Sequence, residues 1–297
     1  MADSTQQTPP SREEQLLTGD FRRLERETAR KRLAWLEQRG YADPTRWDPE
    51  RAPVSPRQAF ELFFSDYIGV DLADLPIEEE SDDRITWLSL NPCSTLDACV
   101  KLGLDTRPVC RAVYEKPVQF FLSRLDPNLR FVRDYEQIRP HAPHCSETIV
   151  RVDLDDLMRQ ALDEARLSRT AGGGRGYGAV LVMGDTVMAR AHDSTGADCD
   201  PSRHGELKVI SEAARSLGTL DLSGALLVCT CEPCPMCAGA AVWANVTTVA
   251  YGSSIEETAA MGRTRIVVGM QEIADRSPYN VEVIGGVLKE ECDRLYR

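Results

Sequence analysis

The chain has 297 residues, of which 42% are hydrophobic and 28% are charged, and its formal net charge is −12. This composition is typical of a soluble globular protein, and the length allows two ordinary domains. Because there is no run of about 18 apolar residues and no signal-peptide core near the start, we expect a cytoplasmic protein without a membrane partner.

The negative charge is spread over both halves of the chain. Residues 151–297 contain 15 Lys and Arg against 21 Asp and Glu, so this half carries −6 and residues 1–150 carry the other −6. Proteins that bind nucleic acid usually present a basic stripe or cluster to the phosphates. The charge therefore favours a small uncharged substrate over a nucleic acid.

Residues 1–11 form a polar tail that is predicted to be disordered, and the rest of the first half alternates between helical patterns and short apolar strands. Hydrophobic residues at helical spacing predict helices over 12–40, 58–68 and 93–125, the last with breaks near Gly103 and Pro108. The acidic stretch 71–83 is predicted to be a loop. Alternation predicts strands at 84–90 and 148–152. We place a domain boundary near Val152, which leaves a mainly helical α+β domain at 12–152.

The second half, 153–297, follows a regular α/β pattern. Two strands joined by Gly184-Asp185 predict a hairpin, and a glycine cluster from Gly172 ends the helix before them. The predicted strands are 178–183, 186–192, 225–230 and 247–251, and the predicted helices are 154–168, 204–217, 235–245 and 286–296. Strands separated by helices imply a sheet that is covered on both faces.

Two short segments in this half carry the residues that suggest chemistry. His204-Gly205-Glu206 opens one predicted helix, and Pro233-Cys234-Pro235-Met236-Cys237 opens another. Cysteines three positions apart at a helix start place both sulfurs on one side of the first turn, where the helix dipole favours thiolates. With His204, they give three ligands for Zn²⁺ and leave a fourth position for water, while Glu206 stays free to move protons. Together the segments match the H-x-E and P-C-x-x-C signature of zinc deaminases.

Two other interpretations of these cysteines remain open. The first is a structural zinc site, in which Cys231 pairs with Cys234 and Cys229 lies nearby; the second is a set of core cysteines without metal. Neither explains a carboxylate two residues after the histidine. Cys231 is predicted to end a buried strand and to be inert.

Residues 153–297 resemble the cytidine deaminase-like superfamily, in particular its guanine deaminase and tRNA-adenosine deaminase branch. The resemblance lies in HGE, in CEPCPMC followed by Ala238-Gly239-Ala240, in VAYG at 249–252 and in GGVLKEEC at 285–292. It implies a three-layer α/β/α fold with a mixed five-stranded sheet. By the same resemblance, His204, Cys234 and Cys237 hold Zn²⁺, Glu206 carries protons, and backbone N–H groups near Cys234 stabilise the developing oxyanion during hydrolytic release of ammonia.

Three further residues bear on the substrate. The tryptophan at position 243 resembles the residue that guanine deaminases have there, whereas tRNA editors tend to have histidine. Trp243 is therefore expected to line the substrate pocket, and the alternative is that it packs in the core. Asp193 stands where the family usually has Asn. Because an ionised carboxylate only accepts hydrogen bonds, an Asp193 that faces the pocket would select a substrate with a ring N–H or an amino donor. The alternative is that Asp193 is a solvated loop residue. Gly205 replaces the usual Ala and is expected to widen the pocket. These features favour a free guanine-like nucleobase or a related heterocyclic amine, with A-to-I editing of tRNA as the alternative.

The N-terminal half contains a second group of cysteines, Cys93, Cys99, Cys110 and Cys145. Their spacing is not that of a common zinc ribbon, so buried free thiols are preferred to a second metal site. The segments NPCSTLDACVKLGLD at 91–105, LDPNLRF at 125–131 and HCSE at 144–147 resemble, less closely, the small domain of L-2-amino-thiazoline-4-carboxylate hydrolase-like proteins. That resemblance implies a ligand-binding module and allows another hypothesis, a small-molecule sensor in which the deaminase domain is secondary.

The resemblance to deaminases also implies a quaternary structure. Related deaminases usually pair their subunits and complete the pocket across the interface. We therefore expect a homodimer.

Overall fold

The computed structural model describes residues 12–17, 21–41, 47–48, 50, 52–170, 174–277 and 279–297. The predicted tail at 1–11 and the glycines at 172 and 173 lie outside these ranges. The described residues form two sheets, each with its own helices. None of the described helices combines the length and the apolarity that crossing a bilayer requires.

The structure of the first half confirms the predicted amphipathic helices and contains more strands than were predicted. Its helices are α1 (Arg12–Leu17), α2 (Phe21–Glu37), α3 (Pro56–Glu61), α4 (Ser94–Leu102), α5 (Thr106–Cys110) and α6 (Lys116–Leu125). Single π-helical stretches follow α3 at Leu62–Ile68 and α5 at Arg111–Glu115. The predicted break at Gly103 is present as a left-handed helix cap, whereas Pro108 lies inside α5, in the first turns where a missing N–H is tolerated.

The four strands of this half form an antiparallel sheet in the order β1-β2-β4-β3. They are β1 (Ile77–Glu80), β2 (Arg84–Ser89), β3 (Leu129–Asp134) and β4 (Cys145–Arg151). The prediction of a loop over 71–83 was wrong for β1, a mostly exposed edge strand whose glutamates face solvent. Strand β3 was not predicted, and β4 begins three residues earlier than expected. Aromatic side chains such as Phe63, Trp87 and Phe121 fill the core beneath this sheet.

The second half has the mixed five-stranded sheet that the resemblance implies, in the order β6-β5-β7-β8-β9. Its strands are β5 (Gly178–Met183), β6 (Thr186–His192), β7 (Ala225–Cys231), β8 (Thr248–Ser253) and β9 (Glu282–Gly285). The hairpin through Gly184 is confirmed, with that glycine at φ 59°. β5 pairs antiparallel with β6 and β7, whereas β7, β8 and β9 run parallel.

Helices cover both faces of this sheet, which confirms the three-layer α/β/α fold. They are α7 (Leu154–Thr170), α8 (Thr195–Asp198), α9 (Gly205–Leu217), α10 (Pro235–Trp243), α11 (Ile255–Ala260), α12 (Met270–Asp275) and α13 (Lys289–Asp293). One apolar layer joins α7 and α13 to the sheet, and a second joins α9, α10 and α12 to the opposite face. The predicted closing helix over 286–296 was too long, because a turn at Leu288 with φ 44° comes before α13, which ends at Asp293.

The two sheets meet through buried polar side chains. Arg130 on β3 is 1% exposed, and its Nη1 donates a hydrogen bond to Thr248 Oγ1 at 3.2 Å. Thr248 Oγ1 also donates to the Glu282 carboxylate at 3.4 Å. Burial raises the pKa of Glu282 to about 7, although Ser123 and Arg130 act in the opposite direction. The contact between the halves therefore contains a carboxyl group that titrates near neutral pH.

Glu282→Gln is expected to remove a pH-dependent loss of stability. Between its ordinary pKa of 4.5 and about 7, the folded protein binds more protons at Glu282 than the unfolded chain, so the free energy of unfolding falls as pH rises. Since Gln imitates the protonated carboxyl, the variant should match the wild type at pH ~5 and exceed it by roughly 2 kcal/mol at pH ~8. Urea unfolding at the two pH values checks this, and an equal difference at both would contradict it.

Candidate functional site

The first part of the site is the start of α9. His204 is the N-cap residue of this helix, with φ −73° and ψ 148°, and Glu206 lies in its first turn and is 7% exposed. Between them, Gly205 packs directly on the sheet. A Cβ atom there would lie 2.9 Å from the Ala191 carbonyl oxygen and 3.4 Å from the Ala179 nitrogen. The expectation that Gly205 widens a pocket was therefore wrong: its missing methyl group accommodates strand backbone and brings the helix start close to β5 and β6.

The second part is the start of α10, reached directly from the carboxyl end of β7. Cys234 is the N-cap residue with φ −64° and ψ 165°, and Pro235 occupies the first helical turn, where no N–H is required. Cys237 follows on the same side of that turn and is fully buried. The strand β7 and the helix α9 thus bring residues 30 positions apart in the sequence to one place.

His204, Cys234 and Cys237 converge on one point. Their ligand atoms all lie within 4.8 Å of one another. His204 Nδ1 is 3.4 Å from Cys237 Sγ and 3.7 Å from Cys234 Sγ, and the two sulfurs are 3.6 Å apart. A tetrahedral zinc ion with ordinary bond lengths separates two sulfurs by about 3.8 Å and a sulfur from a nitrogen by about 3.6 Å. The spacing of the three donors therefore fits zinc.

The electrostatics of the donors also suit a metal. The hydrogen bond between Cys234 and Cys237, followed by the one between Cys234 and His204, lowers the pKa of the Cys234 thiol to about 4, whereas the hydrogen bond with Cys234 and burial raise the pKa of Cys237. The hydrogen bond to Cys234 raises the pKa of His204. Burial raises the pKa of Glu206, which makes this carboxyl able to hold a proton closer to neutral pH.

The neighbouring cysteines differ from these two. Cys231 ends β7 and is buried, as predicted, and its Sγ accepts a hydrogen bond from Arg265 Nη2 at 2.9 Å. Burial raises the pKa of Cys231 to about 12 and that of Cys229 well above its ordinary value. Both are neutral thiols directed into packing contacts. Arg265 is a residue that no sequence pattern indicated, and it lies over the ring of Tyr177 at 4.5 Å.

Asp193 is buried next to the histidine rather than exposed in a loop. It is 1% exposed, and its Oδ1 accepts hydrogen bonds from the Arg175 N–H at 3.2 Å and from Thr195 Oγ1 at 3.1 Å. Its Oδ2 has no hydrogen-bond partner among the described residues and lies 4.0 Å from His204 Nε2. The interpretation as a solvated loop carboxylate was wrong. The structure leaves one buried acceptor oxygen free beside the site.

Trp243 lies on the surface of the protein rather than in its core. It is the last residue of α10 and its exposed fraction is 78%. Core packing is therefore wrong for this side chain, whereas its role in binding substrate stays a prediction. Met236, seven residues earlier, is 41% exposed, so the two lie on the same outer face of α10.

The cysteines of the first half do not gather into a comparable site. Among the described residues, His204, Cys234 and Cys237 are the one group of three potential ligands within metal-binding distance. Cys93 Sγ accepts a hydrogen bond from the Leu96 N–H, and Cys145 Sγ accepts one from the Arg139 N–H, each at 3.4 Å. Cys99 and Cys110 are buried, and all four are free thiols.

Comparison with known proteins places this geometry in a family. Residues 151–253 match the model of the cytidine and deoxycytidylate deaminase zinc-binding region. The tRNA-specific adenosine deaminase of Bacillus subtilis is 39% identical over 135 residues, which are 46% of this chain and 81% of that protein. The chain belongs to the cytidine deaminase-like family.

Other members of the cytidine deaminase-like family match the chain over similar lengths. The guanine deaminase of Bacillus subtilis is 32% identical over 108 residues, which cover 36% of this chain and 69% of the relative. A solved tRNA:A34 deaminase shares 30% identity over 47% of this chain and 98% of its own, with a TM-score of 0.42. The matches to these three relatives each cover less than half of the chain, so they do not account for all of it.

Proposed function

We propose that the protein is a zinc-dependent hydrolytic deaminase that releases ammonia from an aminated nitrogen heterocycle, with a guanine-like free nucleobase as the main candidate. The observation that carries this proposal is the spacing of His204 Nδ1 and the two sulfurs of Cys234 and Cys237, together with a buried carboxyl at Glu206. Three ligands leave one tetrahedral position open, which distinguishes a catalytic zinc site from a closed structural one.

In the proposed reaction, water replaces the ring amino group and ammonia leaves. Zinc held by the three ligands would supply Lewis-acid chemistry and lower the pKa of water to about 7. Glu206 accepts the proton of the attacking water at its carboxylate and passes it to the ring nitrogen. It then takes the second proton, from the hydroxyl now attached to the ring carbon, and delivers it to the amino group, which leaves as ammonia while the carbonyl forms. The backbone N–H groups at the start of α10, beside Cys234, lack partners within the helix and can stabilise the oxyanion.

Asp193 is proposed to contact the substrate through Oδ2, the oxygen that has no protein partner. An ionised carboxylate can only accept, so this position favours a ring N–H or an exocyclic amino group. Asp193→Asn is therefore expected to lower kcat/KM about 10-fold to 100-fold for substrates that present such a donor, with unchanged zinc content. Steady-state kinetics across a series of bases that differ at one N–H group checks this.

Asp193→Asn also distinguishes two roles of Asp193, which are contact with the substrate and orientation of the His204 ring. Asp193 also faces His204 Nε2, and a carboxylate that accepts from a ligating histidine orients its ring. If Asp193→Asn loses zinc and lowers kcat equally for every base, Asp193 positions His204 and does not select the substrate.

Free nucleobases are favoured over RNA because of charge. The chain carries −12, divided evenly between its halves, and a polyanionic stem-loop requires basic contacts. The second candidate, adenosine deamination in tRNA, is favoured by the 39% identity to a tRNA-specific adenosine deaminase. Ammonia release from guanine, adenine, cytosine, their nucleosides, pterins and triazines should be compared with inosine formation in a tRNA stem-loop. We expect activity on a free heterocycle, and inosine formation alone would establish the second candidate.

A homodimer is proposed from the outer face of α10. Met236 and Trp243 expose apolar side chains there, on the helix that also holds Cys234 and Cys237, and exposed apolar patches commonly mark protein contacts. Trp243→Glu is expected to convert the dimer into a monomer, as measured by light scattering. Leu220→Glu, at another exposed apolar position that is 84% exposed, is the matched control and should leave the dimer unchanged. A monomeric wild type with full activity would contradict the proposal.

A further inference from the structure

A cavity of about 650 Å³ lies between the two halves of the chain, and we refer to it as the interface cavity. On one side it is lined by the π-helical stretch Arg111–Glu115 and by β3. On the other side it is lined by the turn of the β5–β6 hairpin and by Thr219, Asp221, Ser223 and Gly224, which follow α9. His204, Cys234 and Cys237 do not line it, so the cavity is separate from the proposed catalytic site.

The interface cavity contains a guanidinium group that forms no direct ion pair with a described residue, although its charge lowers the pKa of Glu115. Of its three arginines, Arg84 pairs with Asp185 and Arg133 pairs with Glu147. Arg111 makes no ion pair with any described residue, and its guanidinium lies over the Tyr135 ring at 4.3 Å. An arginine in this position can bind a carboxylate with two parallel hydrogen bonds.

The same cavity contains acceptor and donor groups that lack partners. Glu115 is 7% exposed, and its Oε2 accepts a hydrogen bond from the Tyr135 hydroxyl. Its Oε1 has no hydrogen bond from a described residue and lies close to Gly224, where a Cβ would be 2.7 Å from this oxygen. Ser223 is 3% exposed, and its Oγ is buried without a hydrogen-bond partner. Buried polar groups in native proteins are normally paired, so these groups point to a missing partner.

We propose that the interface cavity binds a small zwitterion, an α-amino acid with an apolar side chain. Its carboxylate would bind Arg111, its ammonium group would donate to Glu115 Oε1, and Ser223 Oγ would complete the polar contacts. An unpaired cation and an unpaired anion on one cavity match a ligand that carries both charges, whereas a simple anion would be repelled by Glu115 and a simple amine by Arg111.

The rest of the lining fits the apolar part of such a ligand. Phe131, Val132, Met183 and Leu217 contribute apolar surface to the interface cavity. Burial raises the pKa of Glu115, although the Tyr135 hydroxyl and the charges of Arg111 and Arg133 act in the opposite direction. An ammonium group bound at this carboxyl would favour its ionised form further.

The cavity also contacts an element of the proposed catalytic site. Leu217, in its lining, is the last residue of α9, and His204 is the N-cap residue of the same helix. A helix of 13 residues is about 20 Å long, so the ligand would contact one end of α9 while the metal site occupies the other. Binding does not depend on the deaminase proposal, and its test can be made without any measurement of turnover.

The test is calorimetric titration of the full-length protein with L-leucine, L-isoleucine, L-valine, L-methionine and L-phenylalanine individually. We expect at least one to bind with Kd below about 1 mM. For a leucine complex, the matched probes are 3-methylbutylamine, which lacks the carboxylate, and 4-methylpentanoate, which lacks the ammonium group. Each corresponding single-charge analogue should bind about 10-fold or more weakly. Absence of binding by all five amino acids, or equal binding by an analogue, would overturn the proposal.

Variants locate the binding within the chain. Arg111→Met should weaken binding about 10-fold or more, whereas Arg107→Met, four residues earlier and paired with Asp105 outside this cavity, should leave it unchanged. Ser223→Ala removes only a buried hydroxyl that has no partner, so it should fold normally and bind several-fold more weakly even if Arg111→Met fails to fold. Glu206→Gln should bind like the wild type. If both single variants fold and both bind like the wild type, the assignment is contradicted. If Arg111→Met does not fold, unchanged binding by Ser223→Ala contradicts it.

Discussion

Glu206→Gln is expected to lower the rate of deamination by about 10⁴-fold while zinc content and thermal stability stay close to those of the wild type. Gln has nearly the same shape, and the cluster of His204, Cys234 and Cys237 supplies all three ligands without this carboxyl. Its amide cannot accept the proton of the attacking water or protonate the leaving amino group. Because one residue serves several proton transfers, the loss should reach the upper end of the range for general acid–base catalysis. Steady-state ammonia release and metal analysis on the same preparation measure both effects.

The matched control for this variant is Glu212→Gln, an exposed glutamate on the same helix. It removes one charge from α9 without touching the site and should retain full activity. Loss of zinc in Glu206→Gln would make Glu206 a ligand. Turnover near the wild-type rate would mean that another group carries the protons.

Cys237→Ala and Cys234→Ala are each expected to abolish tight zinc binding and, with it, deamination. Each removes one of three donors at distances that fit a single tetrahedral ion, and two remaining ligands do not make a typical zinc site. In the wild type we expect about one zinc per chain, because one potential ligand group is found among the described residues. Metal analysis after gel filtration checks the stoichiometry in all three proteins.

Cys231→Ala distinguishes this assignment from a site built on the Cys231 and Cys234 pair. Its thiol contacts Arg265 and Thr258 rather than His204, so this variant should keep one zinc per chain. The same measurement on Cys93→Ala tests the N-terminal cysteines. Retention of zinc by Cys237→Ala but not by Cys231→Ala would establish the alternative pair.

The ligand set could be predicted from the sequence because its spacing is local. The three metal ligands lie within three residues at the start of α9 and four residues at the start of α10. The N-cap residues His204 and Cys234 begin these helices, and Pro235 occupies the first turn of α10. The burial of Asp193 and the exposure of Trp243 could not be predicted in this way. Both depend on how separate elements pack, and a one-dimensional pattern does not show which side of a helix or loop a neighbour covers.

Dependence on packing between separate elements also explains where the predicted secondary structure differs from the observed fold. The hairpin through Gly184 was predicted to the residue, since its signal lies in two turn residues between alternating strands. β1 and β9 have four residues each and are held mainly by their neighbours β2 and β8. Short edge strands of this kind carry little hydrophobic pattern of their own. Gly205 was misjudged because its role depends on the close approach of a strand from elsewhere in the chain.

The central claim is that the cluster of His204, Cys234 and Cys237 makes this chain a metal-dependent deaminase. The most direct measurement is ammonia release across the panel of free heterocycles by the full-length protein, first stripped of metal with a chelator and then reconstituted with one equivalent of zinc. The account predicts negligible release from the stripped protein and recovery of turnover on at least one heterocycle after zinc is restored. Turnover that is the same before and after stripping, with zinc verified as removed, would contradict it.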